Sequence, residues 1–110
     1  MSTVPTIELN DGNTIPQLGF GVFQIPPDDT ADAVKTALDI GYRHLDTAEM
    51  YHTEEAVGEA IKGRRDQVFL ATKVLGSNLK YDAVLRAAEK SLRLLNDEII
   101  DLYQIHWANR

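Results

Sequence analysis

Four polar residues of this 110-residue chain could act together as an acid–base device: Asp46, Tyr51, Lys73 and His106. Asp46, Lys73 and His106 each close a short segment that reads as a strand, and they stand 27 and 33 residues apart. Neighbouring strands lie about 4.8 Å apart, so Asp46 and Lys73 would meet as an ion pair that holds the ammonium in place. Tyr51, folding back from the loop after Asp46, would bring its hydroxyl toward that ammonium. A positive charge beside a tyrosine favours the phenolate and lowers a pKa that is ordinarily about 10. A hydroxyl tuned in this way can serve as a general acid near neutral pH. His106, one strand further on, would donate or accept a hydrogen bond at the same reacting oxygen. Each residue alone has a plainer reading. Asp46 would be a helix-start or loop aspartate, Tyr51 a cover for the mouth, Lys73 merely the partner of Asp46, and His106 a satisfied core histidine.

The elements that must position these groups are legible in the pattern. Thr6–Leu9 and Thr14–Gln17 flank Asn10-Asp11-Gly12-Asn13, and Asp-Gly between short apolar runs signals a hairpin. Leu18–Phe23 reads as a strand broken by Pro26 and Pro27. Asp28, Asp29 and Thr30 offer an N-cap for a helix with Ala33, Val34, Ala37 and Leu38 on its apolar stripe, ended by Gly41. Tyr42–Thr47 is a second strand, and Thr53 is placed to cap a helix through Ala56, Val57, Ala60 and Ile61. Val68–Val74 is a third strand and Ile99–Trp107 a fourth. Between them Tyr81–Leu95 forms a helix with Val84, Leu85, Ala88, Leu92 and Leu95 on one face. Strands alternating with helices imply a parallel sheet with right-handed crossovers.

The spacing of the strand ends matches a barrel of eight βα units, which averages roughly 30 residues per unit and carries its active site at the C-terminal strand ends. The predicted fold class is therefore α/β, a partial (β/α)8 TIM barrel: an N-terminal hairpin, about four parallel strands and three helices. Alternation puts His44 and Asp46, then Phe69, Ala71 and Lys73, then Gln104 and His106 on the inner face. Leu45, Leu70, Thr72, Tyr103 and Ile105 would then face the helices.

With 11 Lys and Arg against 17 Asp and Glu, the net charge is −6. That balance argues against a general binder of nucleic acid or anionic membrane, both of which would repel it. The run Lys62-Gly63-Arg64-Arg65 reads as the end of a helix, where cations suit the dipole and Gly63 supplies the cap. There are no cysteines, which excludes disulfides and thiolate metal sites; no metal is expected. No apolar run approaches the roughly 20 residues that span a bilayer, and Met1–Pro5 has no signal-peptide pattern. The expected placement is soluble and cytoplasmic. Gly19-Phe20-Gly21 lacks the third glycine of a dinucleotide fingerprint and reads as a tight first βα turn.

Gly41-Tyr42-Arg43-His44-Leu45-Asp46-Thr47-Ala48, followed by Tyr51 and Glu54-Glu55-Ala56-Val57-Gly58, resembles the aldo-keto reductase signature. Val68-Phe69-Leu70-Ala71-Thr72-Lys73 resembles that family's lysine strand. Ser91-Leu92-Arg93-Leu94-Leu95 and Ile100-Asp101-Leu102-Tyr103-Gln104-Ile105-His106-Trp107 resemble its histidine strand. The wording is nearest to the diketogluconate-reductase-like branch. The resemblance runs from the hairpin to Trp107, so residues 1–110 correspond to the N-terminal half of the family's barrel, with the hairpin at 6–17 and βα units from about 18 to 107.

The resemblance implies NADPH-dependent reduction of an aldehyde or ketone. Tyr51 would be the proton donor, Lys73 would lower its pKa, Asp46 would hold Lys73, and His106 would orient a small-molecule carbonyl substrate. It further implies that Gly21, Val22 and Asp46 approach the nicotinamide ribose. Phe23, Met50, His106 and Trp107 would line the substrate pocket; packing in the core or at the mouth is the plainer reading of Phe23, Met50 and Trp107. The family's clamp on the adenosine phosphate belongs to its second half, so this segment alone is expected to bind NADPH weakly. Either that C-terminal half or a second copy of the chain, as a homodimer, would complete the barrel. The alternative function is a non-catalytic half-barrel acting only in binding or as a structural protein.

Overall fold

The computed structural model describes residues 4–108. The chain opens with an antiparallel hairpin, β1 (Thr6–Glu8) and β2 (Thr14–Pro16), paired Thr6 to Pro16 and Glu8 to Thr14. Gly12 takes φ +87° at its tip, and the Asp11 carboxylate accepts the backbone and side-chain N–H of Asn13. These bonds hold the Asp11 carboxyl below the usual range.

Four parallel strands then alternate with three helices: β3 (Gly19–Gly21), α1 (Pro27–Asp39), β4 (His44–Asp46), α2 (Glu54–Ala60), β5 (Phe69–Val74), α3 (Tyr81–Leu95) and β6 (Leu102–Ile105). The sheet order β3-β4-β5-β6 follows the chain, so each crossover joins neighbouring parallel strands. This is the parallel-strand α/β architecture of a partial barrel. Among the described residues, no helix is long and apolar enough to cross a membrane.

The core lies between the sheet and its helices. Leu45, Leu70 and Val74 from the strands are fully or almost fully buried with Val34 and Leu38 of α1, Val57 of α2 and Leu95 of α3. On the other sheet face His44, Asp46, Phe69 and Lys73 are half-buried. Leu45, Leu70 and Thr72 meet the helices as the alternation predicts, but Ile105 is 62 % exposed. It lies on β6, the edge strand, with no described helix beyond it. Leu85, expected on the apolar face of α3, is 50 % exposed, and the buried positions of that helix are Ala87, Ser91 and Leu95. The buried stripe follows an i, i+4, i+8 track, and Leu85 stands off it.

Three local expectations need correction. The N-cap of α1 is Pro26, with Asp28 and Asp29 inside the first turn, where acids suit the dipole. Thr30 turns its hydroxyl back to the Pro26 carbonyl at 3.0 Å. The basic run does not serve the end of α2, which has no basic residue in its last turn and stops at Ala60, before Ile61. Arg64 instead pairs with Asp39, and Arg65 ties the loop before β5 to the loop before β6. Its guanidinium donates to Asp97, to Asp101 at 2.8 Å and to the carbonyls of Val68 and Ile99. Thr53 occupies the N-cap of α2 but makes no capping hydrogen bond.

Candidate active site

Asp46 is the last residue of β4, Lys73 the penultimate residue of β5, and His106 follows the end of β6. Because these strands are parallel neighbours, all three stand at one end of the sheet. The register sets Asp46 beside Ala71 and Lys73 beside Gln104, so the lysine stands two residues further along its strand than the aspartate, on the same face. Lys73 Nζ donates to Asp46 Oδ2 at 2.6 Å and to the Thr47 carbonyl at 3.0 Å. Their side chains are 15 % and 33 % exposed respectively for Lys73 and Asp46, so the charge pair sits at a mouth that solvent still reaches. Among the described residues no donor bonds to the second Asp46 oxygen, Oδ1.

Tyr51 closes a 3-10 turn, Glu49–Tyr51, between β4 and α2. Its N–H bonds to the Ala48 carbonyl at 3.1 Å, and His52 then takes a left-handed φ of 58° that turns the chain into the helix. Lys73 Nζ lies 5.3 Å from the centre of the Tyr51 ring, within cation–π reach. The lysine's hydrogen bonds go to Asp46 and Thr47, so the expected approach of ammonium and phenol is a contact with the ring face. The His106 ring meets Tyr51 edge-on at 5.5 Å, and Phe23 lies against Tyr51 at 5.1 Å. Trp107 lies tilted against His106, ring centres 4.3 Å apart. The structure thus brings Asp46, Tyr51, Lys73 and His106 together, with Phe23 and Trp107 on the rim.

Of the other expected site residues, Met50 is 37 % exposed on the same turn as Tyr51, and Phe23 and Trp107 are each more than half exposed. Gly21 sits beside Asp46: a Cβ there would lie 4.0 Å from Oδ2. Val22 is fully buried in the helix-side core, so its side chain belongs to packing and only its main chain is left for a ligand. Its N–H is already donated to the Asp46 carbonyl at 3.2 Å. The Asp46 carboxylate, with Oδ1 accepting no hydrogen bond among the described residues and the side-chain-free Gly21 near its Oδ2, offers an acceptor of the kind a ribose hydroxyl would need. Among the described residues, no group of three or more His, Asp or Glu could hold a metal ion.

Sequence reasoning missed a buried polar layer behind this mouth. Glu54 is only 2 % exposed, and its Oε2 accepts the Thr72 hydroxyl at 2.7 Å. Burial pushes its carboxyl above the usual range, with the Thr72 hydrogen bond working against that shift. The Ser91 hydroxyl faces the same carboxyl without reaching hydrogen-bond geometry. A cleft of about 550 Å³ lined by Glu49, Glu54, Asn78 and Ser91 opens on this helical side, away from the four clustered residues. The Tyr103 phenol, desolvated and near Glu49 and Glu54, is pushed up to about 12. The one available signal was Glu54 itself, a carboxylate where α2 turns its buried face.

A parallel α/β sheet thus carries a Lys–Asp pair, a tyrosine and a histidine at its C-terminal end. The aldo/keto reductase family model matches residues 17–110, and the chain belongs to that family. An aldo-keto reductase of Mycobacterium sp. (strain KMS) is 52 % identical over 106 residues, covering 94 % of this chain and 38 % of the relative. The methylglyoxal reductase DkgA of Yersinia pestis is 43 % identical over 112 residues, covering 99 % of this chain and 40 % of its own length. The crystal structure of Bombyx mori aldo-keto reductase AKR2E4 in complex with NADP superposes with a TM-score of 0.91 at 36 % identity, over all of this chain and 41 % of that one. The chain therefore spans about two fifths of the length of these relatives.

Proposed function

We propose that these residues form the catalytic corner of an NADPH-dependent carbonyl reductase. The observation that carries the reading is the Lys73 ammonium, fixed by Asp46 at 2.6 Å and set against the face of Tyr51, with His106 at the edge of the same ring. When bound, NADPH supplies the hydride that reduces the carbonyl carbon. Tyr51 gives its hydroxyl proton to the carbonyl oxygen, so the product is an alcohol and the phenolate regains a proton from solvent. Lys73 stabilises the negative charge left on the phenol oxygen. Asp46 holds Lys73 through Oδ2 and keeps Oδ1 for the ribose, with Gly21 and the Val22 main chain beside it. His106 hydrogen-bonds the carbonyl oxygen and orients it toward Tyr51. Phe23, Met50 and Trp107 line an aromatic and thioether rim for the substrate's apolar part.

The NADP complex of the silkworm relative and the name of the Yersinia relative support a nicotinamide cofactor and a small carbonyl substrate. The test is carbonyl-dependent oxidation of NADPH, with methylglyoxal as probe, in a complete barrel carrying these residues. Turnover that falls severely in Lys73→Met is the expected result. Normal turnover in that variant would overturn the role given to the charge.

A further inference from the structure

Resting on that reading, we propose that Thr53, Thr47, Glu54 and Thr72 are positioning residues, joined in one closed hydrogen-bonded circuit that fixes Tyr51 relative to Lys73. Lys73 Nζ donates to the Thr47 carbonyl at 3.0 Å. The Thr47 hydroxyl meets the Thr53 hydroxyl at 3.1 Å. Thr53 is bonded in the chain to Glu54, whose Oε2 accepts the Thr72 hydroxyl at 2.7 Å. Thr72 is bonded in turn to Lys73, and the circuit is complete.

Tyr51 lies inside this loop of chain, on the short link from Thr47 to Thr53. That link is closed at its two ends by the hydroxyl pair and tied at its flank by Asn78, which donates to Glu49 Oε1 at 2.7 Å. Alternation along β5 makes the coupling direct. Lys73 points to the mouth and Thr72 to the helices, so one strand step anchors both the cation and the segment that presents the phenol.

Two local rules are broken to build the circuit. Thr53 stands at the N-cap of α2, where its hydroxyl would ordinarily take a backbone N–H and contribute about 1 kcal/mol. It caps nothing and bonds to Thr47 instead. Glu54 places a carboxyl on the buried face of α2, where an apolar side chain would be the ordinary choice, and burying a charge is costly. Such departures from local preference concentrate where function constrains the structure. Thr47 and Thr72 are 0 % exposed, Thr53 1 % and Glu54 2 %. Solvent therefore has no ready access to replace a bond that is lost, and the slack passes to Tyr51. Reacting groups displaced by about 1 Å can lose on the order of 100-fold in rate.

The experiment compares Thr53→Val, which keeps the shape and removes the hydroxyl, with Thr53→Ser, which restores it. Both are made in the complete barrel and assayed with NADPH and methylglyoxal. Thr53→Val should lose about tenfold in kcat while KM and NADPH affinity stay within about twofold. Thr53→Ser should recover most of that loss. In tyrosine labelled at the ζ carbon, the Tyr51 resonance should move in Thr53→Val and return in Thr53→Ser. A Thr53→Val enzyme with lowered thermal stability but unchanged kcat and an unmoved Tyr51 resonance would overturn the proposal. If Thr53→Val does not fold, Thr72→Val and Thr72→Ser break and restore the circuit at its other hydroxyl, and the same two readouts decide. Tyr51→Phe is run beside them. Full turnover there removes the functional reading itself, whereas an inactive Tyr51→Phe beside an unimpaired Thr53→Val overturns the positioning role alone.

Discussion

Replacing Gly58 with alanine separates two forces of opposite sign. Gly58 lies inside α2, where alanine is intrinsically favoured over glycine by about 1 kcal/mol. A Cβ at this position would stand 2.4 Å from the Leu95 carbonyl oxygen, 2.6 Å from its carbonyl carbon and 2.8 Å from its Cα. All three are main-chain atoms at the end of α3, so no side-chain rotation relieves the contact. Atoms of this kind pack at about 3.5 Å or more, so the two helices would have to separate by about 1 Å. Overpacking of a core typically costs 1–3 kcal/mol, and a clash with main chain belongs at the upper end, about 3 kcal/mol. The net expectation is a loss of about 2 kcal/mol. For a domain of this size that lowers Tm by roughly 10 °C. Thermal unfolding followed by circular dichroism reads the change, with denaturant titration as the independent measure of free energy. A Gly58→Ala protein as stable as the parent, or more stable, would refute the reasoning, because helix propensity would then have outweighed the contact.

Two other substitutions test the electrostatics. Burial raises the Glu54 carboxyl above its ordinary 4.5, so its favourable contribution is complete below that value and is lost as pH rises through the raised pKa. Glu54→Gln should therefore gain stability on the parent between acid and neutral pH, and a gap in Tm that stays constant with pH would contradict this. At Asp97 burial works to raise the carboxyl, but hydrogen bonds from Arg65, Glu98 and Ile99 outweigh it and hold it below the ordinary 3.8. That stabilisation is present above the ordinary value and lost as pH falls through the lowered one. Arg65→Ala should cost about 2 kcal/mol at neutral pH, with the deficit shrinking in acid. A pH-independent deficit would assign the role of Arg65 to packing.

Much of the framework was legible because it depends on local pattern. Asp-Gly fixes the hairpin tip, Tyr81–Leu95 matches its helix at both ends, and the strand ends at Asp46, Lys73 and His106 place three groups on one rim. The side-chain bonds behind the rim were not legible, because each depends on a partner far away in sequence. Thr72 and Glu54 are 18 residues apart, and Arg65 meets Asp97 and Asp101 across 32 and 36 residues. A threonine before a helix signals a cap from local preference alone, and nothing near Thr53 reveals that Thr47 competes for its hydroxyl. Ile105 and Leu85 carry apolar side chains that pattern assigns to a core, yet each lies on a surface that no described element covers.

Tyr51→Phe tests most directly whether Tyr51 delivers the proton. The substitution removes one oxygen and leaves the ring contacts with Phe23, His106 and Lys73 in place. In the complete barrel, NADPH binding followed by fluorescence titration should be largely retained, while carbonyl-dependent NADPH oxidation should fall by a factor on the order of 100 or more. Near-normal turnover in Tyr51→Phe would contradict the assignment of Tyr51 as the acid.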